Sequence, residues 1–63
     1  SYGIRTITVM AADAATAESF TTAAMTMTPT DAIAMIQKFG LAALVVTDDH
    51  QVLTTPTFEE FRA

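Results

Sequence analysis

The stretch "TPTDAIAMIQKFG", residues 28–40, reads as a helix with both ends written into it, and "LAALVVT", residues 41–47, follows without a break. Thr28 can cap, Pro29 suits the first helical position, and Asp31 stands three residues after the cap, where a carboxylate can return a bond to it. Ala32, Met35, Ile36 and Phe39 then form an i, i+3, i+4, i+7 stripe that Ile33 widens. Lys38 sits in the last turn, where a cation suits the helix dipole, and Gly40 supplies a left-handed stop. The segment after it is apolar nearly throughout rather than alternating, which is how a strand buried on both faces reads. A helix over 29–39 joined by one glycine to a strand over 41–47 has few ways to bury both. It must lie against a sheet that contains the strand, which makes the class α/β or α+β.

The remaining segments supply the rest of a small mixed sheet of three to four strands. "IRTITVM" alternates at the strand period and predicts a strand over 4–10, with Ile7 and Val9 on one face. "DDHQ" is a polar turn, and "VLTT" predicts a short return strand within 51–55. Thr57 begins a second capping box with Glu60, so Phe58 and Phe61 fall on a short C-terminal helix from residue 58. Residues 13–27 are open. Asp13 as N-cap with Ala17, Phe20, Ala24 and Met27 at helical spacing gives a helix over 13–25. The threonines at 21, 22, 26 and 28, alternating with Ala23, Met25 and Met27, give a strand over 19–27 after a loop, and tip the balance slightly that way. The predicted core is Ile7, Val9, Phe20, Ile33, Met35, Ile36, Phe39, Leu41, Leu44, Val46, Leu53, Phe58 and Phe61.

With 63 residues the chain makes one domain, residues 1–63. A domain of that size buries only about 60% of the surface its unfolded chain exposes. It has no cysteine for a disulfide and only His50 as an imidazole ligand, so a closed zinc site within one chain is not expected. Hydrophobic residues are 51% of the chain and charged ones 16%, a composition that favours association. A homo-oligomer, a homodimer first, or a subunit of a larger assembly is therefore the expected working form. Tyr2, Phe58 and Phe61 are the candidate interface residues. The net charge of −4 and the scattering of Arg5, Lys38 and Arg62 argue against nucleic acid as a partner. The longest apolar run, Leu41 to Val46, falls far short of the roughly 20 residues of a spanning helix, so no membrane partner is expected. The N-terminus "SYGIRTITV" lacks a basic region followed by an apolar core, and a cytoplasmic location is the default expectation.

Groups able to do chemistry are few. Asp48, Asp49 and His50 are adjacent, but side chains at consecutive strand or turn positions diverge, and Asp-Asp is ordinary turn chemistry. Glu59 and Glu60 point roughly 100 degrees apart on a helix and do not form an acid/base pair. No nucleophile, base and orienting group can be named together, so the chain is not expected to be an enzyme and needs no cofactor. The four methionines fall at core-type positions as gap-fillers.

From Asp31 onward, "DAIAMIQKFG", "LAALVVTDDHQVL" and "TPTFEEF" follow in an order that resembles a single cystathionine-beta-synthase-type (CBS) motif over residues 31–63. That family reads as a helix ending in Gly, a buried strand, an Asp-rich turn, a short strand, and a Thr-x-x-Asp that opens a helix. The resemblance implies an adenosine-nucleotide-sensing half-module acting as a dimer, with the nucleotide held by Thr57 and Glu60; Asp48 joins them as a candidate ligand-binding residue. Glu60 stands where the family has Asp, and Thr54 where it has Gly. A plain capping box explains Thr57 and Glu60 without a ligand. The segment over residues 4–46, "IRTITVMAAD" through "KFGL" and "ALVV", also resembles the opening of a ubiquitin-like β-grasp domain of the Ras-association kind, which implies a hairpin before the helix and a protein partner on an edge strand.

Overall fold

The computed structural model describes residues 3–60. The chain runs β1 (Ile4–Met10), α1 (Ala14–Ala24), α2 (Pro29–Lys38), β2 (Ala42–Thr47), β3 (Val52–Thr54) and α3 (Pro56–Glu60). The sheet has the order β1-β2-β3 and is antiparallel throughout, where a mixed sheet was anticipated. The class is α+β.

Residues 14–24 are helical, which removes the strand reading of 19–27. Asp13 caps the helix: the Thr16 N–H donates to its Oδ1 at 2.8 Å and the Thr16 hydroxyl to its Oδ2 at 3.1 Å. The threonines that favoured a strand are accommodated locally. The Thr21 hydroxyl donates back to the Ala17 carbonyl at 2.9 Å, and the Thr26 hydroxyl to the Ala23 carbonyl at 2.7 Å just past the helix end. Burial of Ala24 and partial burial of Phe20 then place this helix against β1 and α2. Tertiary packing outweighs a propensity difference of a few tenths of a kcal/mol per residue.

α2 starts and stops as its sequence dictates. The Thr28 hydroxyl accepts from the Asp31 N–H at 3.3 Å, and Pro29 occupies the first turn. At the other end Gly40 adopts φ +74°; its N–H donates to the Gln37 carbonyl at 2.9 Å while the Leu41 N–H reaches the Ile36 carbonyl at 3.3 Å. That pair of bonds is the Schellman arrangement, and it turns the chain straight into β2.

The register assigns the faces of the sheet. Ile7 pairs with Val45, Val9 with Ala43, and Val45 with Leu53, and these side chains form the layer beneath α1 and α2. A register shift between Ile4 and Thr6 brings Ile4 into the same buried cluster with Ala24, Ala32 and Ile36. The opposite parity, Thr6, Thr8 and Met10 with Ala42, Leu44 and Val46 and then Val52 and Thr54, faces away from those helices.

The anticipated core is corrected at several positions. Phe39 is 63% exposed, because the helix ends one residue before it, and it meets Phe20 edge-to-face at 5.1 Å between ring centroids. Leu44 and Val46 are half-buried on the outward face, and Phe58 is half-buried on α3. Phe61 lies outside the described residues. Ala24, Ala32 and Ala43 share the buried cluster with Ile4, Ile36 and Val45, and their small side chains let helix and sheet backbones approach closely.

Candidate functional site

The C-terminal corner differs most from expectation. α3 begins at Pro56 rather than at residue 58, and its cap is Thr55, not Thr57. The Phe58 N–H donates to Thr55 Oγ1 at 3.2 Å, and the Glu59 N–H to the Thr55 carbonyl at 3.3 Å. Thr55 is fully buried and also holds the sheet: its N–H donates to the Ala43 carbonyl at 3.1 Å and its Oγ1 accepts from the Ala43 N–H at 3.0 Å. The Thr57–Glu60 capping box therefore does not form, and Thr57 is left in the first turn without a capping role.

Thr57 instead borders a shallow cleft of about 290 Å³ with Met10, Ala11, Ala12, Gly40, Leu41 and Ala42. Three segments meet there: the end of β1, the α2–β2 junction and the start of α3. The antiparallel pairing of Met10 with Ala42 brings the first two together. None of these residues except Thr57 was singled out from sequence. The available signal was the Gly40 stop, which sets the start of β2 opposite the end of β1.

The other candidate residues are not brought to this cleft. Glu60 is exposed and does not line it, while the neighbouring Glu59 carboxylate accepts from the Thr54 hydroxyl at 2.7 Å. Asp48 follows the far end of β2, six residues beyond Ala42, which along an extended strand is about 20 Å away. Thr57 and Asp48 thus cannot share a small ligand.

Asp48, Asp49 and His50 are exposed and form the β2–β3 turn, with His50 in the left-handed region at φ +67°. Thr47 organises it. Its hydroxyl bonds to the Asp49 carboxylate and accepts from the Gln51 N–H at 2.9 Å. The hydrogen bond from Thr47 holds the Asp49 carboxyl below its ordinary pKa. Among the described residues no group of three or more His, Asp or Glu is placed to hold a metal ion. No described helix is long and apolar enough to cross a membrane.

Of the candidate interface residues, Phe58 lies on α3, which packs against β2; Tyr2 lies outside the described residues. A wider concavity of about 550 Å³ runs along α1 beside Ala15, Glu18, Ser19, Thr22 and Ala23, all on one helix, with Glu18 its sole ionisable group. No protein-family model, curated protein or solved structure matches this chain.

Proposed function

We propose that this chain is a small non-enzymatic binding or assembly module whose working form contains more than one copy. The observation that carries the reading is incomplete coverage of the second sheet face, where α3 packs on β2 and Ala42 is buried but other apolar side chains stay accessible. α1 and α2 cover one face, whereas the other keeps Val52 at 57% and Met10 at 41% exposure and leaves Leu44 and Val46 half-buried on the central strand. A 63-residue chain without cysteine gains stability by covering such a face. Light scattering over a concentration series tests this. A mass above the 6.7 kDa of one chain, rising with concentration, is expected. A single 6.7 kDa species that stays folded at micromolar concentration would sink the reading.

The cleft beside Thr57 favours a second reading, in which the module takes an adenosine nucleotide. The order α2, β2, acidic turn, β3, α3 is the order that the CBS resemblance implies. The lining is apolar with a single hydroxyl, which suits a flat base, and its volume lies near the lower end of small-ligand pockets. The test is a thermal-shift scan with AMP, ADP, ATP and S-adenosylmethionine. A ligand at 100 times its dissociation constant adds about 2.7 kcal/mol, a shift that Thr57→Ala should reduce. No shift with any of the four removes this reading and leaves the first intact.

A further inference from the structure

The two edges of the sheet are built differently. β3, at one edge, has three residues and is followed after Thr55 by Pro56, which has no N–H to offer a further strand. β1, at the other, runs for seven residues without proline or lysine, and among the described residues no strand lies beyond it. We propose that the open edge of β1 pairs antiparallel with the β1 edge of a second copy, extending the sheet across a two-fold axis at Thr8. This rests on the assembly reading and names its interface.

The bonds around β2 fix which way the backbone of β1 points. The Ala43 N–H and carbonyl both engage Thr55, and the Thr47 N–H donates to the Gln51 carbonyl at 2.8 Å. The odd-numbered residues of β2 thus turn their polar groups toward β3. The Asp48 N–H, of the other parity, donates to the Gly3 carbonyl on the β1 side at 2.9 Å. Bonded and non-bonded pairs alternate along an antiparallel ladder, so Leu44 and Val46 bond to their register partners Thr8 and Thr6. Ile7 and Val9 then turn both N–H and carbonyl away from β2, and no other described backbone group meets them.

The side chains argue for a second copy as the occupant. Ile7 and Val9 point to the helical layer yet stay half-buried, whereas Val45 and Ala43, opposite them on β2, are fully buried. The cover they lack is on the side where no strand follows. An axis at Thr8 sets Ile7 opposite Val9 of the second copy, and Val9 opposite its Ile7. Each of those two pairs exchanges two backbone bonds, and each puts one β-branched apolar side chain against another. Thr8 meets its own copy on the outer face. Arg5, the one charged residue of β1, falls opposite Ala11, so no like charges face each other. Neighbouring registers match less well. An axis at Ile7 sets Arg5, at the strand irregularity, opposite Val9, and an axis at Val9 sets Ile7 opposite Ala11, past the strand end.

The test uses the full chain made by chemical synthesis, so that one amide can be methylated with every side chain kept. Sedimentation equilibrium reads the dimer and circular dichroism the fold. N-methylation at Val9 blocks an outward donor; the fold should stay intact while the dimer dissociation constant rises at least about tenfold, as two lost bonds per dimer imply. N-methylation at Thr8 removes a bond to Leu44 and should lower the melting temperature of the fold itself. Because the chain has no cysteine, single-cysteine variants report the register. Thr8→Cys should oxidise to a linked dimer, since residues facing each other in a non-bonded pair lie about 4.5 Å apart at Cα, within disulfide reach. Thr6→Cys, exposed on the same face, should not, because the axis leaves it about 13 Å along the strand from its own copy. Unfolding by the methyl at Val9 as severe as that at Thr8 would show that the Val9 N–H is engaged within one chain, and would overturn the proposal. So would a dimer that survives methylation at Val9, or one that oxidises through position 6 and not through position 8; either leaves the assembly reading standing. A wild-type chain that is monomeric at every concentration would overturn both.

Discussion

The tripeptide Thr-Pro-Thr occurs twice, at 28–30 and 55–57, and the two copies do different work. Each begins a helix in the same manner: the first threonine caps, and proline takes the first helical position. At α2 the cap is exposed and its bond is local, and the ten-residue helix that follows is held by an apolar stripe. At α3 the helix has five described residues, too few to persist alone, and the cap is buried and bonded twice to Ala43 on β2. One copy marks where a helix begins. The other ties a strand, a helix and the central strand together. The same local signal thus carries different weight depending on what lies beside it.

The largest effect should come from the packing that makes the first cap dispensable. Ile36 of α2 is fully buried, and Ile36→Ala should cost about 2–5 kcal/mol in urea unfolding. A loss below 1 kcal/mol would show that α2 depends on its ends after all. Next comes the second cap. Thr55→Val keeps the shape but strips the acceptor from the Ala43 and Phe58 N–H groups, and leaving such donors unsatisfied should cost about 1–3 kcal/mol. Thr55→Ser, which keeps the hydroxyl, should recover most of that loss. The exposed first cap should be worth less, with Thr28→Ala costing about 1 kcal/mol. Equal losses at 28 and 55 would erase the contrast between the copies.

A third cap adds a charge to the comparison. Hydrogen bonds from Thr16, chiefly from its N–H, hold the Asp13 carboxyl below its ordinary 3.8. A depressed folded-state pKa means stabilisation that is complete above the ordinary value and lost as pH falls through the folded one. Wild-type stability should therefore decline below about pH 4. Asp13→Asn, an equally good cap, should flatten that decline, leaving the part due to Asp49, whose carboxyl is lowered in the same direction. An unchanged acid limb would show that Asp13 does not carry it. The smallest effect is expected at Thr57, where Thr57→Ala should change stability by no more than about 0.5 kcal/mol. A larger loss would restore the cap to position 57.

By itself the sequence determined the elements whose signals are complete within a few residues. The cap, proline, stripe and glycine of α2 place its start at Pro29 and its end within one residue, because each of those groups satisfies backbone bonds or buries a face locally. The alternation of β1 and the apolar run of β2 do the same for two strands, both found within a residue of their expected bounds. Tertiary structure decided the rest. Helix and strand were nearly balanced over 13–27 by propensity, and burial of Ala24 and Phe20 against neighbours distant in sequence selected the helix. Thr55 and Thr57 each stand three residues before a helical N–H, and only the bond to Ala43, twelve residues away, distinguishes the cap from its neighbour. The candidate cleft is assembled by strand pairing between Met10 and Ala42, with Thr57 arriving from a third segment. Asp48, close to Thr57 in sequence, is carried to the opposite end of β2 because the intervening residues form an extended hairpin, and extended chain separates its ends by about 3.3 Å per residue.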